Sequence, residues 1–352
     1  MSLDVFRGLT VALMILVNNP GGDAYYSCLQ HATWNGLTFA DVVFPFFIFI
    51  LGAAIPYAFS KKIEQGTSRK KLLLLVARRT IILFAIGLFI NWFSTFDLAT
   101  IRVMGVLQRI AICYLFSSLI FLFLKPKWRL ILTVAIPLVY WLLMAFVPVP
   151  GYGAGVLTEE GNLAAYVDRS LLSGHLYTGT WDPEGILSTL PAIATSLMGV
   201  LAGQYLKSER KPRAKALNLF SFGILALCAG LVWNFCFPIN KSLWTSSYVA
   251  VTGGIALILL AALLYLIDVK GRMDWAKPFS ILGRNNTLFI YVLSEVVNLT
   301  LIHTSLKSMI YVGLFASWAG PLHGSFIYAL AFLAFCWIVA AILYWKKIFI
   351  KI

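Results

Sequence analysis

His31 is the residue of this sequence whose chemistry best suits proton transfer or nucleophilic attack. It lies in a short polar stretch, and Asp41 follows ten residues later at the start of a long apolar run. An imidazole titrates near pH ~6.5, so it can take a proton from an amine at neutral pH or attack a reactive carbonyl itself. Asp41 could orient the ring, although Thr38-x-x-Asp41 also fits a capping box. The alternative interpretation is a solvated loop histidine beside a helix cap.

Arginines within or beside apolar runs are candidates for binding a phosphate group. Arg78, Arg79, Arg109 and Arg284 occupy such positions. A charge at the centre of a bilayer costs about 2.5–3.5 kcal/mol on insertion scales, so these side chains are expected to face a cavity or a partner. Their guanidinium groups suit phosphate oxygens. Snorkelling to lipid headgroups explains Arg78 and Arg79 equally well, and Arg109 could instead pair with Glu295.

Further polar groups occur inside or at the ends of the apolar runs. Arg7 follows Asp4 by three residues, so the two can pair on one helical face, or Arg7 can contact a phosphate. Side-chain amides and a hydroxyl could line a tunnel or hydrogen-bond neighbouring helices. They belong to Gln108, Asn285, Asn286 and Ser294.

The elements that must position these groups are membrane helices. Of 352 residues, 60% are hydrophobic and 12% are charged, about half the charged share of a soluble protein. Apolar runs of about 18 or more residues predict membrane spans. This pattern excludes a soluble enzyme, an outer-membrane barrel and a disordered chain, and it favours an all-α polytopic bundle. We predict ten spans, at about 4–18, 37–60, 72–93, 103–124, 128–148, 186–206, 215–236, 246–268, 280–302 and 324–345, with a partial or interfacial helix at 305–319.

The loops between these spans fall into a basic and a nearly uncharged set. The basic set carries 19 Lys and Arg, whereas the other set carries four. The positive-inside rule predicts that the basic set is cytoplasmic, so both termini are inside. This topology accounts for the net charge of +14 without nucleic-acid binding. The basic set is 61–71, 125–129, 207–215, 269–278 and 346–352; the other is 19–36, 94–102, 149–185, 237–245 and 303–323.

The predicted outer loop 149–185 combines carboxylates with aromatic side chains, among them Trp181, Asp182 and Glu184. Such a mixture suits a sugar. An ordinary acidic loop with an interfacial aromatic belt is the other interpretation. All four histidines lie on the same side or at its boundary.

Three further features bound the class of protein. The five cysteines form no CxxC or zinc pattern, so we expect free thiols and no metal site. The amino terminus does not resemble a cleaved signal peptide, so we expect a retained first helix. No internal repeat or soluble domain is visible, and we predict one membrane domain over 1–352.

Six sequence blocks are more specific than membrane composition. They are Ser2–Gly8 with Leu16-Val-Asn18, His31–Pro45, Gly105–Tyr114, Trp181–Pro191, Phe237–Ser246 and Leu282–Asn286. On these blocks, nearly the whole chain resembles the heparan-α-glucosaminide N-acetyltransferase family of transmembrane acyltransferases and its bacterial relatives. Members of that family move an acetyl group from cytosolic acetyl-CoA to the amine of a glucosamine residue across the membrane.

The resemblance implies roles for two residues. His31 matches the catalytic histidine and Asn18 an asparagine beside it, and Asp41 stays the candidate orienting group from its place after Thr38. We expect His31 to be a general base rather than to form an acetyl-histidine intermediate, which stays the alternative. The predicted acetyl-CoA contacts are Arg7, Arg78, Arg79, Arg109, Gln108, Arg284, Asn285 and Asn286. The predicted acceptor contacts are Trp34, Asn35, Trp181, Asp182, Glu184 and Glu295.

The resemblance also implies a location and a partner. The sequence has no match to the amino-terminal lumenal domain of the lysosomal family member, so we expect a bacterial inner-membrane protein. A homodimer is a further expectation from the family.

Two other functions stay open at this point. A transporter for an amino sugar or glycan fragment would also need many spans and intramembrane charges, but it should show repeat symmetry between its halves. An O-acetyltransferase of a surface glycan would keep the chemistry and change the acceptor.

Overall fold

The computed structural model describes residues 1–284 and 287–348, and across these ranges the chain forms helices and no β-strand. The helices are α1 (Ser2–Asn18), α2 (Val43–Glu64), α3 (Arg69–Thr95), α4 (Val106–Phe123), α5 (Pro126–Phe146), α6 (Leu163–Leu172), α7 (Thr189–Lys207), α8 (Pro212–Trp233), α9 (Ser246–Leu263), α10 (Lys277–Arg284), α11 (Thr287–His303), α12 (Leu306–Tyr311) and α13 (Ser317–Trp345). Short 3₁₀ turns cover Ser27–Leu29, Ala40–Val42 and Asp274–Ala276, and π-helical turns cover Leu264–Val269 and Val312–Ala316. The predicted all-α class is confirmed.

Eight helical stretches within the described ranges are long and apolar enough to cross a bilayer. The chain is therefore a polytopic integral membrane protein, and eight of the ten predicted spans have a counterpart of full length. The first predicted span, α1, has 17 residues, about 26 Å at 1.5 Å per residue, which is shorter than the ~30 Å hydrocarbon core. The predicted span 280–302 consists of α10 and α11, which are bent by 78°. The last stretch begins at Leu306 rather than 324, because the segment predicted as a partial helix continues into α13.

The first of two compact units contains α1, the start of α2 and the helices from α10 onward. In it, α1 packs along α10 with the two backbones in direct contact. A Cβ added at Gly8 would lie 1.8 Å from the carbonyl oxygen of Phe279, and one at Gly283 would lie 1.7 Å from that of Asp4. Only glycine allows so close an approach. The contact fixes the neighbouring side chains Arg7 and Arg284. This unit comprises residues 1–33, 37–47 and those described from 259 onward.

The second compact unit comprises residues 34–36 and 48–258. In it, α7 packs against α4 and α5, and α3 packs against α4. The loop 149–185 is anchored by a buried cluster that includes Tyr140, Val149 and Leu163. Tyr140 donates a hydrogen bond of 2.6 Å to the carbonyl oxygen of Leu243. The loop is thus a packed part of this unit, and whether the two units form one domain, as the sequence predicted, stays a prediction.

Candidate active site

His31 and Asp41 form a hydrogen-bonded pair in the first unit. Nδ1 of His31 lies 2.8 Å from Oδ1 of Asp41, with the imidazole about half exposed and the carboxylate fully buried. A carboxylate only accepts hydrogen bonds, so Nδ1 carries a proton, and in the neutral imidazole Nε2 carries the lone pair. The orienting role proposed for Asp41 therefore has the required geometry.

Asp41 is held in place by the loop that leads into α2. Its Oδ2 accepts hydrogen bonds from the backbone N–H of Thr38 (3.0 Å), the hydroxyl of Thr38 (2.9 Å) and the backbone N–H of Ala32 (3.1 Å). The bond to the Thr38 N–H is one half of the predicted capping box. The sequence offered capping and orientation of His31 as alternatives, but one carboxylate does both. Oδ2 accepts the hydrogen bonds from the loop, and Oδ1 binds the imidazole ring.

Asn18 and Glu295 form a second polar pair in the same unit. Asn18 is the last residue of α1 and Glu295 lies in the middle of α11, and their side chains are close neighbours. An amide N–H can donate to a carboxyl oxygen, so the Asn18 side chain can turn one amide hydrogen toward Glu295. Glu295, which the sequence suggested as an acceptor contact or as a partner of Arg109, thus has a partner on α1.

Arg7 and Arg284 share one acidic neighbour where α1 packs on α10. Nη1 of Arg7 donates to the carbonyl oxygen of Gly283 at 3.0 Å and lies 3.5 Å from Asp4. Nε of Arg284 lies 3.5 Å from the same carboxylate. The predicted helical pairing of Arg7 with Asp4 is confirmed, and it brings two of the predicted phosphate contacts together. The neighbouring predicted contacts Asn285 and Asn286 lie outside the described residues.

The other predicted donor contacts lie in the second unit, on α3 and α4. Arg78 is exposed, whereas Arg79 is half-buried with its guanidinium 4.7 Å from the ring centre of Tyr114. Gln108 and Arg109 are fully buried. Nη2 of Arg109 donates to Ser188, and the guanidinium lies 4.9 Å from the ring centre of Trp244.

Several of these buried polar atoms have no hydrogen-bond partner among the described residues. They include Nε of Arg79, Nε2 of Gln108, and Nε and Nη1 of Arg109. The hydroxyls of Ser117 and Ser118, also on α4, share this condition. Buried polar groups are normally satisfied, so these atoms are candidates for contact with a polar ligand. Sequence reasoning missed both serines, because a hydroxyl in an apolar helix usually bonds its own backbone.

The predicted acceptor contacts Asp182 and Glu184 belong to a compact ion-pair cluster. Nε and Nη2 of Arg102 donate to the two oxygens of Asp182 at 2.8 and 2.6 Å, and Nη2 also donates to Glu184. The guanidinium lies 4.6 Å from the ring centre of Tyr177. We name these four residues the Arg102 cluster. Sequence reasoning missed Arg102; its isolation in an otherwise nearly uncharged loop was the available signal.

The carboxyl groups of this region titrate differently. Burial raises the pKa of Glu184, but the positive charges of Arg102 and Arg109 outweigh it, and the net pKa is lowered. Burial raises the pKa of Asp168 to about 7, although the backbone N–H of Ile186 donates to it at 2.8 Å. For Arg102, burial lowers the pKa and the two carboxylates more than reverse this. The region therefore holds one firmly ionised pair and one carboxyl that gains its proton near neutral pH.

Trp34, Asn35 and Trp181 complete the predicted acceptor contacts. The indoles of Trp34 and Trp181 pack edge to face with centres 5.2 Å apart. Nε1 of Trp34 donates to the carbonyl oxygen of Leu157 at 2.9 Å, and the Asn35 side chain accepts from Asn240 at 3.2 Å. The two tryptophans are thus brought together. Among the described residues, no three His, Cys, Asp or Glu side chains are grouped to hold a metal.

Comparison with known proteins gives one consistent result. Residues 1–232 match the family described as heparan-alpha-glucosaminide N-acetyltransferase, catalytic. Two relatives named heparan-alpha-glucosaminide N-acetyltransferase, from Mus musculus and Homo sapiens, are each 33% identical to the chain, over 351 and 354 residues respectively. The matches cover 84% of this chain and 53% and 52% of the relatives. The chain thus spans about half the length of the curated relatives it matches.

Proposed function

Because the chain belongs to the heparan-α-glucosaminide N-acetyltransferase family, we propose that it transfers an acetyl group from acetyl-CoA to the amine of glucosamine or a related amino sugar. The observation that carries this proposal is the His31–Asp41 hydrogen bond at 2.8 Å. It supplies an oriented, half-exposed imidazole with its lone pair on Nε2, as a general base requires.

The chemical step follows from that tautomer. The amine nitrogen attacks the thioester carbonyl, a C–N bond forms and the C–S bond breaks. His31 Nε2 takes the proton that the amine loses and returns it to the CoA thiolate. Buried Asp41 stabilises the imidazolium in between, the role that a carboxylate has behind a catalytic histidine. An acetyl-histidine route remains the alternative, and acetylated His31 trapped without acceptor would demonstrate it.

Asn18 supplies the polarising group in this scheme. The carboxyl group of Glu295 lies beside this amide and can accept one of its hydrogens, and the second hydrogen can then bond the thioester oxygen as charge develops. Donors of this kind contribute roughly 2.7–4 kcal/mol to catalysis in known enzymes. Glu295 then acts through Asn18 rather than on the substrate.

The donor acetyl-CoA requires cations for its phosphates and polar groups along its pantetheine arm. Arg7 and Arg284 bring two guanidinium groups together beside Asp4, at 3.5 Å each, and Arg78 is exposed. These features support phosphate contacts by the three arginines. The unsatisfied atoms of Gln108 and Arg109 support a role along the arm.

Sidedness is a further part of the proposal. We propose an orientation with both termini and residues 61–71 and 207–215 in the cytoplasm and 149–185 outside, in the inner membrane of a bacterium; the charge difference between the two sets of loops supports this orientation. Single cysteines from Ser68→Cys and Thr158→Cys, in a background without native cysteines, test this with an impermeant thiol reagent. Labelling of position 158 alone in intact cells is expected, and labelling of position 68 alone would reverse the topology. A homodimer stays a prediction from the family.

The proposal is tested by incubating purified protein with labelled acetyl-CoA and glucosamine. Label in the amide of the sugar is expected. Counterflow of unmodified sugar in proteoliposomes without labelling would support the transporter instead. Label released from the sugar by mild base would indicate the O-acetyltransferase.

A further inference from the structure

A cleft of about 800 Å³ lies in the first unit, and its lining includes none of the acceptor contacts predicted from the sequence. Its walls come from residues 20–25 and from the segment around α12, with Pro321 at one edge. Small-molecule sites occupy about 300–1,000 Å³ and combine apolar surface with a few polar groups. The side chains that give this cleft its chemistry are Asp23, Tyr25, Lys307 and Tyr311.

Gly21 and Gly22 pack tightly against Tyr311. A Cβ at Gly21 or Gly22 would lie 2.6 or 2.7 Å from the ring of Tyr311. The backbone N–H of Gly22 donates to the Ser325 hydroxyl at 3.2 Å, and that of Gly21 donates to the Ser325 carbonyl at 3.3 Å. The glycines therefore let the ring of Tyr311 approach the backbone of the loop closely, and the ring lines the cleft.

The part of the lining around α12 departs from regular helix. Val312–Ala316 form a π-helical turn, and Gly320 has a φ of 75° directly before Pro321. The hydroxyl of Tyr311 donates to the Pro321 carbonyl oxygen at 3.0 Å. Single π-turns inside α-helices are frequent at functional sites. This irregular backbone bends the chain around the cleft and is tied to Tyr311.

The cleft and His31 belong to the same short loop. The side-chain amide of Gln30, the residue before His31, donates to the carbonyl oxygen of Tyr25 at 3.1 Å. Tyr26 packs edge to face against Phe326 of α13, with ring centres 5.5 Å apart. These two contacts fold residues 25–31 against the helix that walls the cleft, so its lining is coupled to the histidine through a few residues.

The chemistry of the lining selects a class of ligand. Two tyrosine rings offer flat apolar faces for the C–H face of a pyranose ring. Asp23 and Lys307, which lie close enough to interact electrostatically, offer an acceptor and a donor for hydroxyl or amine groups. We propose that this cleft binds the sugar ring of the acceptor and presents it to His31. This inference rests on the proposed function and adds an acceptor site formed by Asp23, Tyr25, Lys307 and Tyr311.

The test uses the full-length protein with Asp23→Asn and Lys307→Gln combined. These changes keep the tyrosine packing, so the fold is expected to persist. The Michaelis constant for glucosamine should rise about tenfold, the result of losing about 1.4 kcal/mol of binding, while that for acetyl-CoA stays unchanged. The matched control is Asp274→Asn with Lys277→Gln, which removes an exposed Asp–Lys pair of 2.7 Å in the same unit and should leave both constants as in wild type.

Binding of N-acetylglucosamine, measured by saturation-transfer NMR, separates this inference from the proposed function because it needs no reaction. If wild type transfers acetyl and the cleft variant keeps both constants, the inference is wrong and the function stands. If wild type transfers nothing but binds the sugar, and the cleft variant loses that binding, the cleft is a sugar site and the acetyltransferase proposal fails. Equal sugar binding by wild type and the cleft variant overturns the inference in either case.

Discussion

Each unit contains carboxylates paired with a basic side chain, but the two pairings have different chemical properties. Asp41 binds a half-exposed imidazole and accepts hydrogen bonds from backbone N–H groups of its own loop. Asp182 and Glu184 instead share the guanidinium of Arg102, which is only 20% exposed. The first arrangement leaves an imidazole at a surface, whereas the second pairs its two carboxylates with one fixed cation inside the fold.

The two clusters differ in their basic group, an imidazole in one and a guanidinium in the other, rather than in their carboxylates. An imidazole changes its charge near neutral pH and can hand a proton on, whereas a guanidinium stays charged and serves as a fixed fork. The geometry therefore favours a structural role for the Arg102 cluster over the predicted acceptor contacts of Asp182 and Glu184. The following predictions would break or sharpen this contrast.

His31→Ala should have the largest effect. Without the base, acetyl transfer to glucosamine should fall by about 10²–10⁴-fold, the usual range for general acid–base catalysis. Acetyl-CoA binding and the thermal unfolding midpoint should be unchanged, because the ring is half exposed. His175→Gln is the control, since that histidine bonds the loop carbonyl of Ile101 and should retain transfer. Near wild-type transfer by His31→Ala would show that the His31–Asp41 pair is not catalytic.

Asp41→Asn should reduce transfer by about 10²-fold. The amide keeps an acceptor for Thr38 and Ala32, but its NH₂ group faces Nδ1 of His31 and favours the wrong tautomer. In the double variant with His31→Ala, the loss should be no greater than in His31→Ala alone, because the two residues act as a unit. Additive losses in kcat would show that Asp41 does not act through His31.

Arg102→Met should act on stability. It leaves two buried carboxylates without their cation, which costs about 3–5 kcal/mol and lowers the unfolding midpoint by roughly 10 °C. Transfer by the folded protein at low temperature should persist. Adding Asp182→Asn and Glu184→Gln should recover part of the midpoint. Loss of transfer with an unchanged midpoint would make the cluster part of the chemistry.

Asp168 should give the smallest effect, a pH dependence of stability. Its pKa of about 7 is above that of an unfolded aspartate, about 3.9, so the folded state binds the proton more tightly. The contribution of Asp168 to stability should therefore fall as pH rises from about 4 to about 7. The lowered pKa of Glu184 has the opposite sign and acts only toward lower pH.

The measurement is the unfolding midpoint in detergent at pH 5 and pH 8. Asp168→Asn should show a smaller decline than wild type between these values. Asp97→Asn, which changes an exposed loop aspartate, should decline as wild type does. An identical decline in all three proteins would contradict the assignment.

Much of the fold was predictable from the sequence, and less of the site. Long apolar runs define spans because a bilayer requires about 20 apolar residues, and eight spans were located in this way. The bend between α10 and α11 was not predictable from hydropathy, since the average over that run hides a change of direction. The Arg102 cluster joins residues about 80 positions apart, and no local periodicity encodes such a contact. His31 and Asp41 are ten residues apart in one loop, and because they are so close in the sequence their pairing could be predicted.

The contact between Gly8 and Gly283 bears on how variants of this chain are interpreted. Any side chain at either position would collide with backbone of the facing helix, so missense changes there should reduce the amount of protein inserted in the membrane. A genetic screen for lost activity would score them together with His31. Measuring protein abundance beside activity separates the two classes: glycine variants should be scarce, whereas His31 variants should be abundant and inactive.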